Sequence, residues 1–325
     1  MNLLASLRYL VALDEHKHFG RAALACHITQ PALSNALRAL EQEFGTTIIN
    51  RGRVYVGLTP EGERVLATAQ RMMHERELLE QDLRGVANKP VGNIVIGAVP
   101  TAVPIAARFA AMLQAQHPGI MPTVLSMTSD EIENGLEKLS LDLGLGYTDR
   151  LQTQPSSKPS RLRSMAQLRS LPQYTEHYFL VQKSAKPDAR SRLKIGSKIA
   201  WQQASKLPLC LLTPDMHNRS IVDKAFLDAG VSVKPILETN SLLTLALSVV
   251  AGEVCSILPG AMLDTVRGYA ELEALPLENP VVSTPIGFMM PQSLRSSHTQ
   301  QAAMVLAQNA GWLKHAAEHS GLLNN

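Results

Sequence analysis

The sequence predicts an α/β protein with a small N-terminal helical domain, one long linker helix and a larger C-terminal domain of two α/β lobes. Three observations support this prediction. The first sixty residues contain apolar stripes at helical spacing, a heptad repeat follows, and from about residue 90 short β-branched runs alternate with helical stretches. A chain of 325 residues is long enough for two or three domains of ordinary size.

Composition excludes several classes of protein. Apolar residues make up 45% of the chain and charged residues 18%, which is typical of a folded globular protein and not of a disordered one. The longest apolar runs, such as Ile94–Val99, are far shorter than a membrane span, and the N-terminus shows no secretory leader. We therefore expect a cytoplasmic protein. The net charge of +3 is too small to indicate a nucleic-acid partner without local evidence.

The three cysteines, Cys26, Cys210 and Cys255, form no CxxC pair. This spacing fits a reducing compartment and argues against a zinc finger or a disulfide scaffold. We interpret each of them as a small buried apolar residue, with a redox sensor as the alternative.

Three short helices are predicted in a first domain over residues 1–59. The first has apolar residues at three- and four-residue spacing, and the second covers Arg21–Cys26. The third begins after the N-cap residue Thr29, carries Pro31 in its first turn and ends near Gly45. Two helices joined by a tight connection are typical of a helix-turn-helix, with an ordinary helical hairpin as the alternative.

The segment after the third helix favours the helix-turn-helix. Residues 48–58 predict a short β-hairpin with Arg51 and Arg53 near its tip, which is the wing of an otherwise all-α winged helix-turn-helix. Basic side chains on a wing bind phosphates and so provide affinity without sequence selection.

The exposed face of the third helix supplies the candidates for contact with bases. Amides and hydroxyls near its N-terminus, namely Gln30, Ser34 and Asn35, can reach base edges, and Ala32 can contact a thymine methyl group. Arg38 is placed for phosphate contact together with the wing arginines. The alternative is a solvated helix face. The predicted DNA-binding set is Thr29, Gln30, Pro31, Ala32, Ser34, Asn35, Arg38, Arg51 and Arg53.

A long linker helix is predicted over residues 60–89, because Thr59-Pro60 repeats the start signal and a heptad seam follows. A helix of this kind usually pairs with a copy of itself, and a helix buried within one domain is the alternative. The seam consists of Ala69, Met72, Arg76, Leu79, Leu83 and Val86.

Residues 90–325 predict two βαβ units, and hence two lobes with parallel strands. The first lobe is expected over about 90–172 and 277–325, and the second over about 173–276. The Ser-, Gln- and Pro-rich basic segment Leu151–Pro172 is expected to be a surface loop, with anion or DNA binding as the alternative.

Small polar residues follow several predicted strands of this domain. Hydroxyls and free backbone N–H groups at helix starts bind anions, so a cleft for a small anionic effector is expected where the lobes meet. Plain N-capping is the alternative. The candidate effector residues are Pro100, Thr101, Ser126, Met127, Thr128, Ser129, Tyr147, Thr239, Asn240 and Ser241.

Catalytic motifs are absent from the sequence, which has no Walker A loop, GxSxG elbow or HExxH pair. We expect no enzyme activity, no cofactor and no metal site. The alternative is a two-lobed small-molecule-binding protein or enzyme whose N-terminal helices only oligomerise.

Several motifs together resemble the LysR-type transcriptional regulators over the whole chain. In the first domain these are Ala22-Ala23-Leu24, the run Ile28–Ser34, Arg51 and Leu58-Thr59-Pro60-Glu61-Gly62. In the larger domain they are Pro118-Gly119, Leu141–Gly146, Val250-Ala251-Gly252 and Ile257-Leu258-Pro259.

The resemblance implies a periplasmic-binding-protein-like effector domain that binds a small molecule between its lobes. It also implies paired linker helices, and dimers that assemble into tetramers. It places Gln30, Ala32, Ser34 and Asn35 in the major groove, and Thr101, Ser126, Thr128, Ser129 and Asn240 at the effector cleft. The sequence departs from the family pattern at Asn50, in the length of the basic segment, and in lacking the paired redox cysteines of peroxide-sensing members.

The predicted function is therefore that of a sequence-specific transcriptional regulator controlled by a small effector, with no catalytic residues. Its expected partners are double-stranded DNA, the effector and copies of itself, with RNA polymerase as a further candidate. No membrane partner is expected.

Overall fold

The computed structural model describes residues 2–51, 55–84, 90–149, 168–184, 193–292 and 295–320. The chain divides into two compact units, Met1–Gly85 and Val86–Asn325. Within the described ranges, no helix is both long enough and apolar enough to cross a bilayer.

The first unit is a three-helix core with a hairpin and a long helix. One face of each short helix is apolar and packs into a common core, which includes Leu10, Leu13, Leu33, Leu37 and Leu40, all essentially inaccessible to solvent. The elements are α1 (Leu3–His16), α2 (Phe19–Ala25), α3 (Gln30–Phe44), β1 (Ile49–Arg51), β2 (Tyr55–Leu58) and α4 (Pro60–Arg84).

Polar caps set the ends of α3. The Thr29 hydroxyl accepts a hydrogen bond from the backbone N–H of Ala32 at 3.4 Å, and Pro31 occupies the first turn. At the other end Gly45 adopts φ = 60°, a left-handed conformation that glycine reaches without strain. The predicted start and end of this helix are confirmed.

Helix α4 presents an apolar stripe on its surface. Met72, Leu79 and Leu83 of the predicted seam are 44%, 57% and 77% exposed, whereas Ala69 is buried in the core of the first unit. Arg76 forms an ion pair with Glu80 of the same helix, with an N–O distance of 2.6 Å. Val86 and the predicted end of the helix lie outside the described residues.

The second unit contains an eleven-stranded sheet with helices on its faces. The strands are β3 (Gly92–Ala98), β4 (Ile120–Ser126), β5 (Leu143–Tyr147), β6 (Leu168–Lys183), β7 (Lys194–Ile195), β8 (Ile199–Ala200), β9 (Leu209–Leu212), β10 (Leu237–Thr239), β11 (Cys255–Pro259), β12 (Leu272–Glu278) and β13 (Ser283–Pro291). The helices are α5 (Val103–Gln116), α6 (Ser129–Glu137), α7 (Trp201–Ala204), α8 (His217–Asp228), α9 (Leu242–Ala251), α10 (Leu263–Val266), α11 (His298–Ala307) and α12 (Ala310–Glu318).

Strand order divides this unit into two lobes that share one strand. The first lobe has the order β4-β3-β5-β13-β6 and the second has β10-β9-β11-β6, with β12 also paired to β6. Residues 168–177 of β6 pair with β13, and residues 178–183 pair with β11 and β12. Each lobe has its own apolar core, around Phe109 and Trp312 in the first lobe and around Trp201 and Leu245 in the second.

Some predicted elements were wrong in extent. Residues 168–172 of the predicted surface loop belong to β6, because their backbone pairs with β13; residues 150–167 lie outside the described part. The sequence also predicts a strand over Ser232–Glu238, a helix from Ser220 and one final helix over Thr299–Glu318. The strand is only Leu237–Thr239, and the helix begins at His217. The final segment forms two helices, because Asn309 caps the second of them.

Candidate DNA-binding and effector-binding sites

Helix α3 presents a polar face opposite its buried apolar face. Gln30, Ala32, Asn35 and Arg38 are exposed, as is Pro31, and Ser34 is half-buried. Arg38 donates a hydrogen bond from Nη1 to Oδ1 of Asn35 at 3.3 Å, so these two side chains lie on the same side of the helix one turn apart. The exposed face thus offers amide, hydroxyl and guanidinium groups in the pattern that can contact base edges and phosphates.

The hairpin after α3 is anchored to that helix by one carboxylate. Glu41 accepts hydrogen bonds through Oε1 from the backbone N–H groups of Ile48 and Ile49, at 3.0 and 3.1 Å. Asn50, where the sequence departs from the family pattern, donates from Nδ2 to the carbonyl of Leu58 at 2.9 Å and so links the two strands. Gly62 at the start of α4 lies so close to the Ile48 carbonyl that a Cβ would collide with it.

These contacts fix the base of the hairpin beside α3. Arg51 is the last residue of β1, and its backbone lies opposite Tyr55 of β2. Its side chain is outside the described part of the structure. Arg53 lies wholly outside the described residues.

The second unit contains a cavity of about 180 Å³ between the ends of strands from both lobes. Five of the ten predicted effector residues line it: Pro100, Thr101, Thr128, Ser129 and Tyr147. They lie in the first lobe, after β3 and β4 and at the last residue of β5, where parallel strands place their carboxyl ends at one edge.

The other five predicted residues are not in the cavity lining. Met127 points toward Gly97 and packs against the core of the first lobe, and Ser126 ends β4 on the exposed edge. Ser241 caps α9 by accepting from the N–H of Thr244, and Thr239 accepts from the N–H of Ser241. The capping alternative accounts for these two hydroxyls, and Asn240 lies exposed between them.

The second lobe contributes residues that the sequence interpretation missed. These are Leu212, Asp215, Met216, His217, Asn218 and Ser220, which belong to the end of β9, the turn after it and the first turns of α8. A signal for them was present, because the buried run Leu209–Leu212 is followed by Thr213-Pro214-Asp215, a strand end and turn of the same kind as those selected in the first lobe.

A hydrogen-bonded cluster lies against the cavity wall and joins the two lobes. The hydroxyls of Thr101 and Tyr147 are 3.0 Å apart, and the rings of Tyr147 and His217 meet edge to face with centroids 4.6 Å apart. Asn218 donates from Nδ2 to the hydroxyl of Tyr178 at 3.4 Å. Thr101 and Tyr147 belong to the first lobe, and His217 and Asn218 to the second.

Glu176 of β6 is the buried acid of this cluster. It is fully inaccessible to solvent, and the hydroxyl of Tyr178 donates to its Oε2 at 3.5 Å. Burial raises the pKa of its carboxyl from 4.5 to about 8, although the hydrogen bond from Tyr178 lowers that pKa. Burial also raises the pKa values of Tyr147, Tyr174 and Tyr178, and the nearby Glu176 raises all three further.

The described lining of the cavity contains acidic residues from both lobes. Asp130 and Asp215 line the cavity, and no lysine or arginine is among the described lining residues. The described ranges also contain no cluster of His, Cys, Asp or Glu side chains that would hold a metal ion.

Two family models match this chain. The model described as "Bacterial regulatory helix-turn-helix protein, lysR family" matches residues 4–63, and the model described as "LysR substrate binding domain" matches residues 87–311. The second match alone covers more than half of the chain.

Curated relatives and solved structures agree with these matches. A relative named "SDS degradation transcriptional activation protein" from a Pseudomonas species is 33% identical over 165 residues, which cover 50% of this chain and 54% of that protein. The Escherichia coli "DNA-binding transcriptional dual regulator OxyR" is 26% identical over 317 residues, which cover 94% of this chain and 95% of that protein.

Solved structures are similar in fold. A variant of full-length OxyR from Pseudomonas aeruginosa has a TM-score of 0.67 at 22% identity, with 98% of both chains covered. CbnR in complex with its target DNA has a TM-score of 0.61 at 18% identity and covers 97% of this chain and 99% of that chain.

The raised pKa of Glu176 predicts a pH-dependent stability. The carboxyl of Glu176 binds its proton more tightly in the folded state than in the unfolded state. Its contribution to folding stability is therefore fully present below pH 4.5 and is lost as the pH rises toward 8. The loss is on the order of a few kcal/mol for a shift of this size. Glu176→Gln, which does not titrate, should therefore lose less stability than the parent protein between pH 5 and pH 8.

Urea unfolding curves across that pH range measure the difference. Glu253→Gln, which removes an exposed carboxylate, is the matched control, and its stability should depend on pH in the same way as that of the parent protein. Equal pH slopes for Glu176→Gln and the parent protein would contradict the assignment of a buried proton to Glu176.

Proposed function

Because the chain belongs to the LysR family of bacterial regulatory proteins, we propose that its α3 reads an operator in the major groove while a small effector occupies the cavity of the second unit. The protein is a DNA-binding transcriptional regulator under effector control. The observation that supports DNA binding is the amphipathic structure of α3. This helix buries Leu33, Leu37 and Leu40 on one face, exposes polar side chains on the other face and begins at an N-cap residue.

Two classes of contact follow from the residues of the first unit. Gln30, Ser34 and Asn35, with the Ala32 methyl, are proposed to contact bases. Arg38, Arg51 and Arg53 are proposed to bind phosphates, and Thr29 and Pro31 hold the start of the helix in position. The hydrogen bonds of Glu41 to the hairpin support this division, because they keep the wing beside the recognition helix.

The regulator works as an oligomer, and we propose that α4 provides the pairing surface. The exposed apolar residues Met72, Leu79 and Leu83 recur at heptad spacing, and burial of such a stripe against a second copy stabilises a dimer. Two paired α3 helices would read two half-sites, and pairs of dimers would form a tetramer. RNA polymerase is a proposed further partner.

The effector is proposed to act by changing the arrangement of the two lobes. Because the cavity is lined from both lobes, a bound molecule stabilises the arrangement in which it contacts both. A shift in lobe arrangement would alter how the subunits pack and thereby the spacing and bending of the bound DNA. Enzyme activity is not part of this proposal, because the matching family models describe a regulatory helix-turn-helix and its binding domain.

We propose a cytoplasmic location, because the operator DNA is there. We propose no thiol-based peroxide sensing, although several relatives are named hydrogen peroxide-inducible genes activators. Cys210 and Cys255 belong to neighbouring parallel strands but pack into different cores of the second lobe, on opposite sides of the sheet. Burial also raises the pKa of both thiols and of the Cys26 thiol, which keeps them as unreactive thiols.

Removal of a wing arginine should weaken DNA binding on all sequences. Arg51→Ala and Arg53→Ala should each reduce affinity for the region upstream of the regulator's own gene, and should lower the slope of log affinity against log salt by about 1, because each removes one phosphate contact. Fluorescence anisotropy at several salt concentrations measures both. Lys224→Ala, which removes an exposed charge of the second unit, is the control. A salt slope that stays unchanged in both arginine variants would refute the wing assignment.

Removal of a base contact should instead change selectivity. Gln30→Ala should reduce discrimination at one base position by about 1–3 kcal/mol and leave other positions unchanged. Binding to a library of single-base operator variants measures this, with the exposed Gln42→Ala near the end of the same helix as control. Uniform weakening across the library would show that Gln30 binds the backbone.

The thiols should be dispensable for regulation. The triple variant Cys26→Ala, Cys210→Ala and Cys255→Ala should give the same DNA footprint as the parent protein, and hydrogen peroxide should not change the footprint of either. In the parent protein, labelling by a disulfide reagent should be slow until denaturant is added, because all three thiols are buried. A peroxide-dependent footprint that the triple variant lacks would establish a thiol sensor.

A further inference from the structure

The hairpin of the first unit is short, and the hydrogen bonds from Glu41 hold its inner end. They bind the backbone at Ile48 and Ile49, where the hairpin leaves the helices. Strands β1 and β2 contain three and four residues, and two strands of this length are marginally stable without further packing. The backbone register shifts between Asn50 and Arg51, so regular pairing is interrupted where the outer half of the hairpin begins.

Tyr55, the first residue of β2, connects this outer half to the helices. Its ring meets the ring of Phe19 edge to face, with centroids 6.2 Å apart. The ammonium group of Lys17 lies over the Tyr55 ring, 5.8 Å from its centroid. Lys17 directly follows α1 and Phe19 begins α2, so both contacts attach the hairpin to the connection between these two helices.

The cation over the ring is itself held in place. Lys17 forms an ion pair with Asp14, whose side chain is 7% exposed. Lys17 ends α1 in the left-handed conformation, with φ = 48°, which a residue other than glycine adopts rarely. A nearly buried carboxylate thus fixes the side chain that contacts the ring of Tyr55, and the contact belongs to the folded body of the first unit.

The Tyr55 side chain is neutral and has neighbours on several elements. It is half-buried and packs against the apolar core of the first unit. Burial raises the pKa of its hydroxyl to about 12, and the charges of Asp14 on α1 and Glu63 on α4 contribute to this rise. Tyr55 therefore contributes no charge to the surface at physiological pH.

The backbone of Tyr55 lies opposite that of Arg51 in the hairpin. Residues directly opposite each other in an antiparallel pair have Cα atoms about 5 Å apart, so the position of Tyr55 constrains the position of Arg51. The next side chain of β2, that of Val56, is 67% exposed and provides no comparable anchor. Packing of the Tyr55 ring is therefore the contact that orients this part of the hairpin among its described side chains.

On the premise that the wing arginines bind phosphates, as in the proposed function, we infer that Tyr55 is a positioning residue for DNA binding. Its ring, in contact with Phe19 and Lys17, holds the outer hairpin in the orientation in which Arg51 and Arg53 meet the backbone of an operator bound by α3. Tyr55 acts through these arginines and makes no contact with a base or a phosphate itself.

The salt dependence of DNA binding separates this role from a general loss of stability. The slope of log affinity against log salt measures the number of phosphates that the protein neutralises. Because Tyr55 is neutral, its replacement changes this slope only by displacing cationic side chains. We expect Tyr55→Val to reduce the magnitude of the slope by about 1 to 2, since one or both wing arginines lose their phosphate.

Fluorescence anisotropy of the full-length protein on the region upstream of its own gene measures this slope. Tyr55→Phe keeps the ring that contacts Phe19 and Lys17, and should have the slope of the parent protein. Tyr269→Val, which removes a half-buried ring from the second unit, is the matched control and should also leave the slope unchanged.

A protein without the wing arginines shows whether Tyr55 acts through them. In the double variant Arg51→Ala, Arg53→Ala, the addition of Tyr55→Val should leave the slope unchanged, because the contacts that it would displace are already absent. Thermal unfolding of each variant establishes that it is folded. Tyr55→Leu keeps apolar bulk against the core and replaces Tyr55→Val in both measurements if the valine variant is unfolded.

Other results would overturn separate parts of the inference. A slope reduced by Arg51→Ala and Arg53→Ala but not by Tyr55→Val or Tyr55→Leu would refute the positioning role and leave the wing assignment in place. An equal reduction with and without the wing arginines would show that Tyr55 acts through other residues. Unchanged slopes in all of these variants would refute the wing assignment of the proposed function, and the role of Tyr55 with it.

Discussion

The second unit depends on one strand that belongs to both of its lobes. Strand β6 pairs with β13 in the first lobe and with β11 and β12 in the second, without an interruption of its backbone. Because side chains of a strand alternate between faces, Tyr174, Glu176 and Tyr178 share one face at the crossing point. The polar cluster at the junction is therefore a consequence of the continuity of β6. Interruption of this strand would break the continuous backbone pairing that links the two lobes and would displace the buried acid.

A buried acid at such a junction is costly, and its neighbours reduce the cost only in part. Tyr178 donates to Glu176 and also lies 3.2 Å from the hydroxyl of Thr284 on β13. Burial raises the pKa of this carboxyl and so favours its protonated, neutral form. Polar clusters of this kind define one arrangement of the surrounding elements, and here those elements belong to the two lobes.

Sequence patterns predicted the DNA-binding half more fully than the effector half. Caps and apolar spacing determine α3 locally, so Thr29, Pro31 and Leu33 were sufficient to predict it. The cavity depends on which strand ends meet, and that requires the strand order. Five candidates at the ends of β3, β4 and β5 line the cavity because these strands are adjacent, whereas the turn after β9 was not selected and Ser241, which was selected, caps α9. Hydroxyl residues at helix starts have the same sequence pattern whether they cap a helix or line a cavity, and only the position of α9 separates the two cases.

The charge of a ligand is also poorly predicted by turn residues alone. Helix starts favour anions, and this led to the expectation of an anionic effector. Asp130 occupies the first turn of α6, where a carboxylate interacts favourably with the helix end, and thereby offsets the positive potential that an anion would need. Asp215 extends the same effect to the other lobe. The decisive quantity is the sum of charges from both lobes, and this sum exists only once β9 and α8 are placed opposite α6. A cavity formed by two lobes therefore has a charge balance that neither lobe shows when its sequence is considered separately.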